Sequence, residues 1–393
     1  MRRSSDPGES ENEDTAGSAG TWQGEVIPPS DSAVEYSSTA FAVSADSGEH
    51  WSSEGAWLVA PGLYRIPLPL PMDGLRAVNI YVIETDDGLT LIDGGWAISA
   101  SRTVLTRSLK AIGYELRDIR RFLVTHMHRD HYTLAAVLGR ELGASVALGV
   151  GERTRLDFVR DASTTGLDFE PSLAAAGASE IADSYRKEAG SGDVGLEVAG
   201  AEGWDPPGIW LVQDLTMQVG SRELRGIETP GHTPGHFVFA DQSNGLLFSG
   251  DHILPTITPS IGLSLPKDPQ ALSSFLHSLA KIRMLPDLVV LPAQGPTGYS
   301  SHQRIDELLA FHSERLAHVE AAVRDGARTG FEVANQLPWT RQKLHLTKLG
   351  IEAKLMAVLE TVAHLDLLVS TGTLQVSEDD KGVHRFVPNS TTT

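Results

Sequence analysis

The sequence predicts a mixed α/β (α+β) fold with a helical C-terminal region that closes in a hairpin. Two patterns carry this. Short apolar strands bounded by Gly- and Asp-containing turns interleave with helical spacing up to about residue 300, and from Ser301 onward helical spacing takes over until a last pair of strand-like runs. The chain has 393 residues, 41% of them hydrophobic and 21% charged, which is enough to bury a sizeable core.

Residues 1–55 form an acidic arm rich in Ser, Gly, Asp and Glu. Ten carboxylates between Met1 and His50 face only Arg2 and Arg3, so little burial offsets the entropy of ordering and the arm is expected to be disordered. Order is expected to begin near Trp57, with strands at Trp57 to Val59, Tyr64 to Ile66 and Val78 to Ile83. Asp86-Asp87-Gly88 is a tight turn into Leu89 to Ile92, and the two runs read as a hairpin. Val104, Leu105, Leu109 and Ile112 recur at helical spacing and Gly113 closes the helix, after which Phe122 to Thr125 is a short buried strand.

Residues 150–205 are less regular, with helix-like pieces at Arg153 to Arg160 and Ser179 to Lys187 broken by Gly-rich stretches, as in a lid or binding insertion. Strands return at Leu211-Val212, Leu215 to Val219, Leu246 to Phe248 and Leu288 to Leu291. The domain limits read this way are 56–300, carrying the insertion, and 301–393. In the second, Ile305, Leu308, Leu309, Leu316, Val319 and Val323 share one helix face, two further helical stretches end near Ser370, and Val376 and Val383 to Val387 flank a polar turn. Helices followed by a terminal hairpin suggest a winged-helix-like region.

The 51 acidic against 32 basic side chains give a net charge of −19, and from Ser301 onward ten basic residues face twelve acidic ones. That balance disfavours nucleic acid as a partner. The chain has no cysteine, which excludes disulfides, thiolate-held metal and a cysteine nucleophile. Met1-Arg2-Arg3 is followed by no apolar stretch, and no run of about 18 apolar residues is present. A cytoplasmic protein with no membrane partner is expected.

The chemistry concentrates in Thr125-His126-Met127-His128-Arg129-Asp130-His131, four metal-ligating side chains within six residues directly after a strand. Imidazole and carboxylate suit zinc, iron or manganese. Side chains alternate on extended backbone, so His126 and His128 can converge on one ion while Asp130 and His131 face a neighbouring one. Thr229-Pro230-Gly231-His232-Thr233-Pro234-Gly235-His236 is a stiff turn presenting two further histidines, and Ser249-Gly250-Asp251-His252 places a carboxylate after another strand.

Together these motifs resemble the metallo-β-lactamase superfamily, with its His-x-His-x-Asp-His run, Gly-His-Thr-Pro-Gly-His turn and Gly-Asp, in the same order over roughly Trp57 to Pro296. The resemblance implies an αββα sandwich with a dinuclear metal site at its edge. It implies that His126, His128 and His232 hold one ion, Asp130 and His131 a second, and that Asp251 bridges them. Asp93, in Asp93-Gly94-Gly95, would orient a ligand by hydrogen bonding, and His236 would support the site from behind. One departure matters: where relatives carry a last histidine, Leu291-Pro292-Ala293-Gln294-Gly295 has Gln294. Its amide oxygen is a poorer zinc ligand than imidazole; His302, eight residues on, is a candidate substitute. The stretches around Arg304 to Arg315 and Glu360 to Leu365 resemble the β-lactamase-like hydrolases with a C-terminal winged-helix region, with His312 and His364 read as packing residues.

The expected activity is hydrolysis of an ester, thioester, lactone or amide in a small-molecule substrate by metal-activated water, with Zn2+ (one ion or two; Fe or Mn also suit) and Asp130 holding and deprotonating the nucleophile. Tyr132 and Trp96 are candidate pocket residues. A metal-dependent ribonuclease and a non-catalytic relic of the fold acting in assembly are the alternatives. The C-terminal helices suit a homodimer.

Overall fold

The computed structural model describes residues 43–47, 51–71, 75–162, 169–189, 203–340 and 342–389. Its centre is two sheets packed face to face. The first has eight strands in sequence order: β1 (Val43–Ala45), β2 (Ala56–Ala60), β3 (Leu63–Pro69), β4 (Ala77–Thr85), β5 (Gly88–Ile92), β6 (Ile119–Leu123), β7 (Ser145–Gly149) and β8 (Ile209–Leu211). The second has six, in the order β14-β13-β12-β11-β10-β9, from β9 (Leu215–Val219), β10 (Arg222–Glu228), β11 (Phe237–Asp241), β12 (Leu246–Gly250), β13 (Val289–Pro292) and β14 (Tyr299–Ser300). β2 to β5 are antiparallel and β5 to β8 parallel, while in the second sheet only β12 and β13 run parallel.

The layering follows from strand alternation. On β4, Val78, Ile80 and Val82 face an outer core, whereas Tyr81 and Ile83 face the core between the sheets. That inner core joins Leu63, Ile92 and Leu123 of the first sheet to Leu224, Phe237, Phe239, Phe248 and Leu291 of the second. With both faces covered, β4 is a nearly continuous apolar run instead of an alternating one. Outside the first sheet, α1 (Ser99–Ala111) and α2 (Arg129–Leu142) bury Val104, Leu105, Leu109, Leu134 and Leu138. Outside the second, α6 (Ala271–Arg283) and α7 (Ser301–Arg324) bury Leu272, Phe275, Leu279, Ile305 and Leu308; the insertion between β7 and β8 supplies α3 (Arg153–Ala162), α4 (Glu170–Ala175) and α5 (Ser179–Ala189). Helix, sheet, sheet, helix is the αββα order.

The hairpin at Asp86-Asp87-Gly88 forms as expected, with Thr85 opposite Gly88. β6 starts three residues earlier than Phe122, because exposed Arg120 is the outward half of its alternation. One element departs from expectation more clearly. β1 lies within the stretch 1–55 taken as disordered: it pairs parallel to β2, and Asp46 beside it is drawn in by the buried Arg65 guanidinium at 2.7 Å. Residues 1–42, including Trp22, lie outside the described residues.

The C-terminal region adds α8 (Gly330–Gln336), α9 (Ile351–Ser370) and an antiparallel ribbon of β15 (Leu374–Glu378) and β16 (His384–Pro388). Leu173, Ile181 and Ala182 of α4 and α5 share one core with Val319, Val333, Leu355, Val358 and Phe386. The insertion is therefore packed on the C-terminal helices through its second half.

Candidate metal centre

The His-x-His-x-Asp-His run begins where β6 ends and turns directly into α2, with His128 at the N-cap and Asp130 and His131 in the first helical turn. A helix N-terminus favours a carboxylate there. The turn 229–236 joins β10 to β11, and Asp251 follows β12. Strand ends from both sheets thus meet at one edge of the sandwich.

His126 Nε2 lies 2.9 Å from His128 Nδ1, and His232 Nε2 lies 3.1 Å from the same atom. Asp251 Oδ2 is 3.6 Å from His232 Nε2, and one donor atom of each of the four residues falls within 4.8 Å of the others. Bonds of about 2.05 Å to a tetrahedral ion give donor-to-donor edges of about 3.3 Å, so the set has the span of a coordination shell. The outer ring nitrogens are engaged: His232 Nδ1 donates to Ser260 O at 2.8 Å, and His126 Nδ1 is 3.1 Å from Thr125 Oγ1. That directs the other nitrogens inward. Burial, followed by neighbouring histidines, holds the pKa values of His126 and His128 well below the ordinary imidazole value, and burial takes His232 to about 4. Neutral imidazole is the form that binds a metal. These residues fit a divalent ion.

Beside this set lie Asp130, His131 and Gln294. His131 Nε2 is 3.5 Å from Asp130 Oδ2 and 3.7 Å from Asp251 Oδ1, and makes no hydrogen bond although fully buried. Gln294 Nε2 sits 3.4 Å from both Asp130 Oδ2 and Asp251 Oδ2. Burial opposes charge on His131, yet Asp130, Asp251 and Asp93 outweigh it and raise its pKa well above the usual value. Burial likewise opposes charge on Asp130, and His131 more than compensates, so its carboxyl is held below the usual range.

Asp93 occupies the position that orients these groups. Its Oδ1 accepts from Thr125 N at 2.7 Å, its Oδ2 faces His131 Nδ1 at 2.9 Å, and its backbone adopts a left-handed φ of 62°. A non-glycine residue there is strained, and the three partners of its carboxylate hold it in place. A side chain on Gly94 would put Cβ 2.5 Å from Ala135 Cβ, so glycine lets α2 close on this turn. His236 packs behind His126 with ring centroids 5.1 Å apart, and its Nδ1 meets Thr229 Oγ1.

Other candidates are elsewhere. Tyr132 is in the core with no exposure, its hydroxyl donating to Asp205 O and its ring against Trp204. Trp96 is half-buried with the Arg129 guanidinium 4.3 Å above its ring. His302 cannot replace the missing histidine: on α7 it is held by Leu285 O at 2.8 Å and Arg283 at 3.0 Å. His312 and His364 are buried against each other at 3.2 Å.

Three supports of the centre lie outside these motifs. Asn79 on β4 donates to Pro292 O and Gly295 O, and Tyr81 donates to Pro292 O, which fixes the loop carrying Gln294. Asn79 in turn accepts from Arg65, which is paired with Asp46. Glu152, fully buried after β7, accepts a hydrogen bond from Thr233 Oγ1 next to His232, and burial raises its carboxyl pKa to about 7. Around it the backbones touch: Cβ atoms added to Gly149 and Gly151 would lie 2.0 Å from Gly235 O and 2.4 Å from Pro234 O. Finally, Arg155 from α3 lies close enough to contribute to lowering the pKa of both His128 and His232, after burial.

Residues 73–294 match the metallo-beta-lactamase superfamily. The chain is 25% identical over 325 residues to the probable metallo-hydrolase YqjP of Bacillus subtilis (strain 168), covering 77% of this chain and 90% of that protein. It is 30% identical over 128 residues to the beta-lactamase-like protein 2 homolog of Caenorhabditis elegans, covering 31% and 41% respectively. Among solved structures, a metallo-beta-lactamase family protein from Thermus thermophilus superimposes with a TM-score of 0.66 at 26% identity, over 84% of this chain and 100% of that one. With more than half of its length matched and the αββα frame in place, the chain belongs to the metallo-β-lactamase superfamily.

Proposed function

We propose that this protein is a metal-dependent hydrolase that adds water to the carbonyl of a small-molecule ester, thioester, lactone or amide, with zinc as its ion. The observation that carries the reading is the convergence of His126, His128, His232 and Asp251 within 4.8 Å of one another, beside Asp130 and His131. A divalent ion in such a ligand set supplies Lewis acidity toward the carbonyl oxygen and lowers the pKa of water. Asp130 is the side chain we assign to proton transfer: it is kept ionised by His131 and is the more exposed of the two carboxylates, at 14% against 9% for Asp251. Asp93 holds His131 in one orientation through Nδ1. The insertion 150–205 is the element we assign to substrate selection, because its start carries Glu152, which holds Thr233 next to His232, and the charge of Arg155 on α3 reaches the metal-binding histidines.

The test is metal analysis joined to a panel of thioesters, lactones and esters. Hydrolysis should disappear on chelation and return with Zn2+. Asp130→Asn should lower kcat by about 10²- to 10⁴-fold while the ion on His126, His128 and His232 is retained, and His128→Ala should lose that ion and activity together. Full activity in Asp130→Asn removes its role, and a chain whose metal content is unaffected by His128→Ala removes the reading.

A further inference from the structure

We propose that Gln294 turns the second half of the centre into an oxygen-rich site that holds an exchangeable ion, so that one ion sits tightly on three imidazoles and Mn2+ competes with Zn2+ for the other position. The inference rests on the metallohydrolase reading above. His131 Nε2 is 3.5 Å from Asp130 Oδ2 and 3.7 Å from Asp251 Oδ1, and the Gln294 amide nitrogen is 3.4 Å from Asp130 Oδ2 and from the other Asp251 oxygen, Oδ2, spacings that two carboxylates, an imidazole and an amide around one ion can have. His131 Nε2 and Asp251 Oδ1 are buried atoms with no hydrogen-bond partner, and they face each other in this space.

Gln294 is not loose filler. It is 5% exposed, and its loop is pinned by Asn79 and Tyr81 on one side and by the Ala293 N–H to Gly250 O bond on the other. Its NH2 group donates to both carboxylates and relieves their mutual repulsion. Turning the amide half a revolution about its last torsion presents Oε1 to the same point. The donor set is then three oxygens and one nitrogen, against three nitrogens and one oxygen in the first set. Carboxylate and carbonyl oxygens suit manganese, and imidazole suits zinc. One amide can therefore pair with the two carboxylates through its NH2 group or complete the ion's donor set through Oε1, as a weaker ligand than imidazole. A histidine there would add an imidazole and favour zinc.

The experiment uses full-length protein stripped by chelation and reloaded with one equivalent of Zn2+. Mn2+ is then titrated while the electron paramagnetic resonance signal of the free ion is followed, and Zn2+ is used as competitor. The native chain should take up one Mn2+ beside its Zn2+. Gln294→His should raise the Zn2+-over-Mn2+ preference of this position by about tenfold or more, and Gln294→Leu should lose the second ion while keeping the first. Retention of the first Zn2+ through dialysis reports that each variant is folded. Unchanged second-ion affinity in Gln294→Leu, or an unchanged preference in Gln294→His, overturns this inference alone. Failure of the native chain to hold even the first Zn2+ overturns the metallohydrolase reading and this inference with it.

Discussion

Asp46→Ala isolates the buried ion pair that reaches the metal centre from the edge of the first sheet. The Asp46 carboxylate accepts from Arg65 Nε at 2.7 Å and Nη2 at 2.9 Å, and from Thr297 Oγ1 at 3.0 Å. The two paired side chains are only 1% and 2% exposed. Removing the carboxylate leaves a buried guanidinium with Trp51 O and Asn79 Oδ1 as acceptors but no counter-charge. Stranding one partner of a buried pair costs about 3–5 kcal/mol, while the half-buried Thr297 hydroxyl is open to water and adds little. The expected loss of about 4 kcal/mol is roughly a thousandfold in the folding equilibrium. It is read by urea unfolding at a fixed concentration of divalent ion, since an ion that binds only the folded chain adds to stability. Asp46→Ala combined with Arg65→Met removes both charges, and the double variant should be more stable than the sum of the single losses by about 2 kcal/mol. Hydrogen exchange at Ala293 N, bonded to Gly250 O, should quicken in Asp46→Ala. A loss below about 1 kcal/mol, or strict additivity, would refute the reasoning.

Stability should also fall in mild acid. Burial first, then the charges of His364 and Arg315, depresses His312 to about 3, and burial, with a smaller part from the charge of Arg315, depresses His364 to about 4; the unfolded chain, with ordinary imidazoles near 6.5, binds more protons below that value, so each is expected to cost about 2 kcal/mol at pH 5 relative to neutral pH, and His312→Leu should flatten the unfolding profile between pH 6.5 and 5. Asp93→Asn keeps the shape of the side chain but loses the charge facing His131 Nδ1, and should weaken metal retention by about 10- to 100-fold, measured by chelator competition. Gly94→Ala drives a methyl into Ala135 at 2.5 Å and should destabilise by about 1–3 kcal/mol or more, measured by thermal unfolding.

Much of this arrangement is legible in the chain because its parts are local. The hairpin from Ala77 to Ile92 shows both its apolar runs and its turn, and the metal ligands stand in two dense clusters and one Gly-Asp. α2 is hidden for the opposite reason: its first residues are the ligand run itself, so the polar side chains that serve the centre mask the helical period until Leu134. β10 is hidden because Arg222 reads as exposed, yet it is buried against Asp241 at 2.7 Å. Helix α6 likewise lacks a side-chain N-cap to announce it. The supports of the centre are illegible in a stronger sense. Asn79 meets Pro292 across 213 residues and Glu152 meets Thr233 across 81, and each is a single polar residue among unremarkable neighbours until the sheets bring the pairs together.

The contact between Gly149-Val150-Gly151 and Pro234-Gly235 is made by peptide planes, with no side chain between them. Such a seam depends on the path of the backbone and is indifferent to the composition of the helices beyond it. Beyond Arg155 the insertion can be rewritten, lengthened or re-packed against α9 while His232 stays where it is. The insertion that we propose selects the substrate is thus joined to the turn carrying His232 through backbone alone, so its outer helices can diverge without moving that turn.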